Sequence, residues 1–197
     1  MECLIGIVGQ DFVLLASDAN AARSVIVYKQ NYDRFTSLGT HVGMVGSGEE
    51  GDRIQFTELI SKNVQLYKIR NGYPLSSHAI ANYTRNSLAN YLRSRTPYTT
   101  NLLIGGCTKE EGPSLYYIDY LSAMAKVPFG VHGYASYKRQ SILDKEYHEN
   151  LTREEAMKIF QICLKQLKSR FIVSLPKFCV RFIDDSGISE VIEVDSV

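Results

Sequence analysis

The amino-acid order predicts an α+β fold in four layers, with two stacked β-sheets held between two pairs of helices. Three observations lead there. The elements fall as a run of strands, two helices, more strands, two helices and a closing hairpin, which is not the strand–helix alternation of a doubly wound parallel sheet. Several strand segments are apolar on consecutive residues instead of alternate ones, so they need cover on both faces. Each helical segment carries a single apolar stripe and must lie on the outside of something. Two sheets back to back, each with helices on its outer face, satisfy all three demands. No repeat, low-complexity stretch or linker divides residues 1–197, which are read as one domain.

Leu4 to Val8 and Phe12 to Ala16 are apolar runs around the turn Gly9-Gln10-Asp11, and they predict a hairpin. Ser24 to Tyr28, Phe35 to Leu38 and His41 to Val45 read as further short strands. From Asp52 to Arg70 a helix is expected, with Phe56, Ile60, Val64 and Tyr67 on one face and Asn71-Gly72 as its stop. A second helix begins near Ser76 or Ser77, either able to cap it, with Ile80, Tyr83, Leu88, Tyr91 and Leu92 as its buried side and Pro97 beyond its end. Strands return at Asn101 to Gly105, Leu115 to Asp119 and Ala123 to Val127. A third helix is expected over Tyr134 to Tyr147. The fourth is marked by a capping box, Thr152 with Glu155, and by the stripe Ala156, Phe160, Cys163 and Leu167. Phe178 to Ile183 and Ile188 to Val194 flank the turn Asp184-Asp185-Ser186-Gly187.

Composition narrows the function. With 197 residues, 45% hydrophobic and 22% charged, the chain can bury a sizeable core and is not a disordered segment or a small disulfide scaffold. Basic and acidic residues number 22 and 21, for a formal charge of +1, whereas a protein that binds nucleic acid by neutralising phosphates is far more basic. No apolar run approaches the roughly 20 residues of a membrane span. The start, Met1-Glu2-Cys3-Leu4-Ile5-Gly6, lacks the pattern of a signal peptide, so a soluble, intracellular chain is expected. Cys3, Cys107, Cys163 and Cys179 are scattered, without zinc spacing, and read as reduced, buried thiols. The sequons at Asn82 and Asn150 are then silent.

Gly46-Ser47-Gly48-Glu49-Glu50-Gly51 is a literal G-x-G-x-x-G between a strand and a helix. A dinucleotide site would set a pyrophosphate at that helix N-terminus, where Glu49 and Glu50 repel it. The next element is another helix, and no acid stands near position 70 to hold a ribose. A tight turn with acids placed on the helix dipole accounts for the motif. His41, His78, His132 and His148 form no metal-binding pair, and there is no G-x-S-x-G elbow. Arg85, Arg93 and Arg95 with Tyr83, Tyr91 and Tyr98 suggest RNA stacking, but these tyrosines are expected on the apolar side of the second helix.

Several segments in order carry a family resemblance: Ala16-Ser17-Asp18, Gly46 through Asp52, Asn63-Val64-Gln65-Leu66-Tyr67, Arg93 through Tyr98, Leu115 through Tyr120, and His132 through Ser136 leading to Ile142-Leu143-Asp144. Nearly the whole chain resembles β-type subunits of the eukaryotic 20S proteasome, most closely those filling the fourth position of the β ring. The resemblance implies the αββα sandwich of N-terminal-nucleophile hydrolases. Active members of that family attack peptide carbonyls with an N-terminal threonine exposed by propeptide removal, its own amine serving as base. An aspartate and a lysine tune the site, and a glycine N–H is the oxyanion donor.

Carried over residue by residue, the nucleophile position falls on Glu2, directly after Met1, so neither threonine nor propeptide is expected. Asp18 matches the aspartate, Gly48 the oxyanion glycine and Asp144 a later aspartate. Arg34 stands at the lysine position, and a guanidinium does not readily join a proton relay. Tyr134 and Ser136 lie where active members carry small residues and serines. Cys3 would become N-terminal if Met1 and Glu2 were removed, which gives an alternative as a cysteine hydrolase. It is one position past the aligned site and so points to the other face of its strand. The resemblance thus implies a non-catalytic subunit with no catalytic, cofactor-binding or metal-ligating residue and no cofactor. Its partners would be the other β subunits of its own and the opposing ring and the α-ring subunits, with protein substrates met only inside the particle. It would work in cytoplasm and nucleus.

Overall fold

The computed structural model describes residues 2–23, 26–133, 136–170 and 175–196. In chain order its first half holds β1 (Cys3–Val8), β2 (Phe12–Asp18), β3 (Ala21–Arg23), β4 (Ile26–Lys29), β5 (Phe35–Ser37), β6 (Val42–Gly48), α1 (Glu50–Asn71) and α2 (Ser77–Leu92). The second half holds β7 (Thr100–Thr108), β8 (Gly112–Ile118), β9 (Met124–Lys126), β10 (Phe129–Gly133), α3 (Ser136–Glu146), α4 (Arg153–Arg170), β11 (Lys177–Asp184), β12 (Gly187–Ile188) and β13 (Ile192–Asp195). One antiparallel sheet runs β10-β1-β2-β11-β12, with β13 also on β11, and the other runs β5-β6-β7-β8-β9.

Burial explains the consecutive apolar runs. Along β1 and β2, Cys3, Ile5, Ile7, Phe12, Leu14 and Ala16 face a core shared with Leu143 of α3 and Phe160, Cys163 and Leu167 of α4. Leu4, Val13 and Leu15 on the same strands point the other way, into a layer completed by Val45, Leu103 and Leu115 of the second sheet. The outer face of that second sheet carries Met44, Leu102 and Ile104 against Phe56, Ile60, Ile80 and Leu88 of α1 and α2. The period-2 alternation of a strand therefore swaps one apolar compartment for another, and the four layers follow. None of the four cysteines is in a disulfide, and Cys3, Cys107 and Cys163 are buried.

The helix signals are used as written. The Ser76 side chain accepts from the Ala79 N–H at the start of α2. At α4 the Thr152 N–H and Oγ donate to Glu155 Oε2, both at 2.9 Å, and the Glu155 N–H donates back to Thr152 Oγ at 3.3 Å. Thr152→Ala removes the side-chain half of this capping box. It is expected to lower stability by about 1 kcal/mol, read as a shifted denaturant midpoint with unchanged slope.

Four expectations are corrected. The short strand expected over Ser24 to Tyr28 is present as β4 but begins at Ile26 among the described residues and runs to Lys29, pairing with β3 in a separate two-stranded ribbon with Ile26, Val27 and Tyr28 exposed. Residues 24–25 lie outside the described residues, as do 134–135 of the third helix. Strand β10 was not expected at all, because two glycines and a histidine mask its pattern. The last strand is two, since the register against β11 shifts by one residue between the Ile183–Ile188 and Val180–Ile192 pairings, as in a β-bulge. Finally, Tyr83 and Tyr91 are exposed. The buried stripe of α2 is Ser77, Ile80, Ala81, Thr84 and Leu88, about 100° of helix turn away from Tyr83.

Candidate functional site

Glu2, Asp18, Arg34 and Gly48, far apart in the chain, meet at one end of the two sheets. β1 and β2 pair antiparallel with Leu4 opposite Ser17, which sets Glu2 beside Asp18 at the ends of neighbouring strands. Asp18 is fully buried, and its Oδ1 accepts from the Cys3 N–H at 2.8 Å, fixing the chain just after Glu2. The Glu2 carboxylate is held at both oxygens. Oε1 accepts from Arg34 Nη1 and Oε2 from the Gly48 N–H, each at 2.5 Å.

Arg34 is the hub. Its side chain is 3% exposed, and besides Glu2 it reaches the Asp18 carbonyl from Nε at 3.3 Å, Asp18 Oδ2 from Nη2 at 3.4 Å and the Asn20 carbonyl from Nη2 at 2.5 Å. One planar fork thus bridges two carboxylates and two carbonyls, which a lysine ammonium cannot do in the same plane. The approach to Arg34 is braced by Tyr32. Its ring lies under the guanidinium of Arg34 at 5.5 Å and of Arg53 at 5.2 Å, and its hydroxyl accepts from Arg53 at 2.7 Å. Burial pushes the Asp18 carboxyl up to about 6, against the lowering pull of Arg34, and the Glu2 carboxylate adds to the rise.

Backbone shape aims the Gly48 N–H. Gly48 has φ +136°, a conformation for glycine, at the junction of β6 and α1. The junction is held by Thr99, whose carbonyl accepts from the Glu49 N–H at 3.3 Å and whose N–H donates to Asp52 Oδ2 at 3.0 Å. On the far side, Gly133 closes β10 with φ +101°, and a Cβ there would stand 1.9 Å from the Glu2 carbonyl. The cluster opens into a cavity of about 770 Å³ lined by Glu2, Arg34, Ser47, Gly48, Glu49 and Glu50, among others.

The structure therefore brings Glu2, Asp18, Arg34 and Gly48 together. Asp144 is exposed on α3 and is not among the described residues lining the cavity. Ser136 opens α3, and Tyr134 lies outside the described residues. Cys3 is fully buried in the core under α3 and α4, on the opposite face of β1 from Leu4 and the inter-sheet layer. Gly46 and Gly48 belong to β6, which is antiparallel to both its neighbours, so the glycine motif stands outside any parallel strand–helix–strand unit. Among the histidines, His132 is buried, stacks on Tyr117 at 3.9 Å and binds the Leu102 carbonyl, and desolvation pushes its pKa down to about 4. His41 contacts Thr40 and the Asp185 carbonyl, His78 contacts Asn82 and the Tyr116 hydroxyl, and His148 contacts the Glu149 carbonyl. Tyr32, Asn20 and Arg53 are the members that reading the sequence missed. An acid at position 2 together with an arginine at position 34 was the signal that the two pair.

Comparison with known proteins gives one answer. The family model "Proteasome subunit" matches residues 2–183. The chain is 43% identical over 190 residues to Proteasome subunit beta type-2-B of Arabidopsis thaliana, covering 96% of this chain and 95% of that one. It is 41% identical over 191 residues to Proteasome subunit beta type-2 of Dictyostelium discoideum, covering 95% and 96%. It is 39% identical over 192 residues to Proteasome subunit beta type-4 of Saccharomyces cerevisiae, covering 97% of each. The family model and the relatives matched over nearly the full length agree, and the chain belongs to the proteasome subunit family.

Proposed function

We propose that the chain is a non-catalytic β subunit of the 20S proteasome core particle. It would complete the β ring at the fourth position and help wall the proteolytic chamber, in cytoplasm and nucleus. It would dock on its two ring neighbours, on the α ring and on the opposing β ring, with no cofactor. The observation that carries the non-catalytic reading is the seat of Glu2. A carboxylate stands where the family's nucleophilic hydroxyl would stand, and it already occupies the Gly48 N–H that would stabilise an oxyanion. Arg34, at the lysine position, is committed to two carboxylates and two carbonyls, and its guanidinium stays charged and does not readily release a proton to a relay. The cysteine alternative meets a thiol sealed in the core.

The test is native mass spectrometry of the particle purified from its own cells after treatment with an electrophilic peptide probe for N-terminal nucleophiles. This chain should be ejected from a stacked-ring complex without adduct and with Glu2 in place. A probe adduct on it, or a chain that begins at Cys3, overturns the non-catalytic reading. A small free oligomer overturns the assembly.

A further inference from the structure

We propose that Arg34 and the Gly48 N–H form a carboxylate-binding site of which Glu2 is the built-in occupant, so that an external monocarboxylate takes the site when the Glu2 side chain is shortened. The inference rests on the seat of Glu2 and deepens the non-catalytic reading, because it says what keeps the cavity's inner end closed. Two donors distant in the chain, Arg34 just before β5 and Gly48 at the end of β6, converge on one carboxylate, each at 2.5 Å. Neither depends on Glu2 for its position. Arg34 is also tied to Asp18 and Asn20, and the β6–α1 junction that carries Gly48 is pinned by Thr99. Charge-assisted donors fixed in this way select a flat, singly charged oxyanion pair.

A further donor waits beside them. Ser47 lines the same cavity, is 3% exposed, and its Oγ has no hydrogen-bond partner among the described residues. The remaining charges set the ligand class. Asp18 lies on the far side of the guanidinium, and Glu49 and Glu50 line the cavity, so a multiply charged anion such as phosphate is repelled while a monocarboxylate meets Arg34. An acetate-sized group, or the terminal carboxylate of a short peptide reaching in along the cavity, has the matching chemistry. In the native chain Glu2 is present at every moment and outcompetes both, by the effective concentration of a tethered ligand.

The full-length Glu2→Ala chain would be melted in sodium acetate, sodium chloride and sodium phosphate at equal ionic strength. Acetate should raise its Tm by about 2–4 °C over chloride, phosphate should not, and the unaltered chain should show no acetate-specific shift. Adding Arg34→Met to Glu2→Ala should abolish the response. An equal response to acetate and chloride, or a response that survives loss of Arg34, overturns the site. If Glu2→Ala fails to fold, amide exchange at Gly48 in Glu2→Gln decides. Loss of protection there supports a seat that requires the carboxylate, and unchanged protection overturns it. The outcome is independent of probe labelling in the assembled particle, so failure of either reading is seen separately.

Discussion

Arg34→Met is expected to destabilise the folded chain by about 3–5 kcal/mol, the range for removing one partner of a buried ionic cluster. The methionine fills comparable space, so the loss is electrostatic and not a cavity. Asp18, fully buried, and Glu2, 17% exposed, would face each other without the guanidinium that bridges them. The Asn20 carbonyl and the Asp18 carbonyl would each lose a donor as well. The deficit should depend on pH, and the sign follows from Asp18. Its folded-state pKa, about 6, lies above the ordinary 3.8, so the folded chain holds that proton more tightly than the unfolded one. Its contribution is therefore most favourable below about pH 4 and falls as pH rises toward 6. Without Arg34 the one strong lowering influence is gone, and the fall continues to higher pH. Denaturant unfolding at pH 5.5 and pH 8 should show a larger gap between variant and native chain at pH 8. A gap of under 1 kcal/mol, or one that widens on acidification, would falsify the view that Arg34 neutralises the two acids.

Much of the fold could be read from the residues because burial on both faces leaves a plain trace. Phe12 through Ala16 is apolar at every position, and only a sheet between two apolar layers uses such a run. The capping box at Thr152 and the stop at Asn71-Gly72 are local chemistry and were equally visible. What escaped was set by distant partners. Strand β10 pairs with β1 at the edge of its sheet, and Gly130 and Gly133 are selected by close approach to Leu103 and Glu2, which no local pattern records. The exposed ribbon of β3 and β4 looks like core because Ile26 and Val27 are apolar, and their exposure follows from pairing that ends with each other.

The site divides in the same way. Glu2, Asp18, Arg34 and Gly48 were placed by resemblance, and the loss of the hydroxyl and of the lysine could be read directly. Their assembly into a closed cluster could not. It needs the β1–β2 register, the turn at Gly48 and the brace of Tyr32 between Arg34 and Arg53, each a product of long-range contacts. Exchanging threonine for glutamate and lysine for arginine reads as two separate losses in sequence. In space Glu2 and Arg34 form one ion pair, with the Gly48 N–H on the second carboxylate oxygen. The backbone donor that would receive a developing negative charge in an active member of the family receives a permanent one from Glu2 here.

Gly48→Ala should be among the most damaging single-methyl additions in the chain, on a par with Gly133→Ala. An added Cβ would stand 2.0 Å from the Thr99 carbonyl oxygen and 3.1 Å from the Thr100 Cα, both backbone atoms that no rotamer change can move. The φ of +136° is itself strained for alanine. Conformational strain of about 1–3 kcal/mol and overpacking of about 1–3 kcal/mol add at one point, so a loss of about 2–6 kcal/mol is expected. The chain can relieve the clash only by rotating the peptide or parting β6 from β7. Either motion withdraws the Gly48 N–H from Glu2 and leaves half of that carboxylate unbound. Gly51→Ala, at which a Cβ meets nothing within 4 Å, serves as the control and should change stability by under about 1 kcal/mol. Denaturant midpoints of the two variants would be compared with amide exchange at position 48. A well-folded Gly48→Ala chain with that amide still protected would mean that the junction is softer than its contacts with Thr99 require.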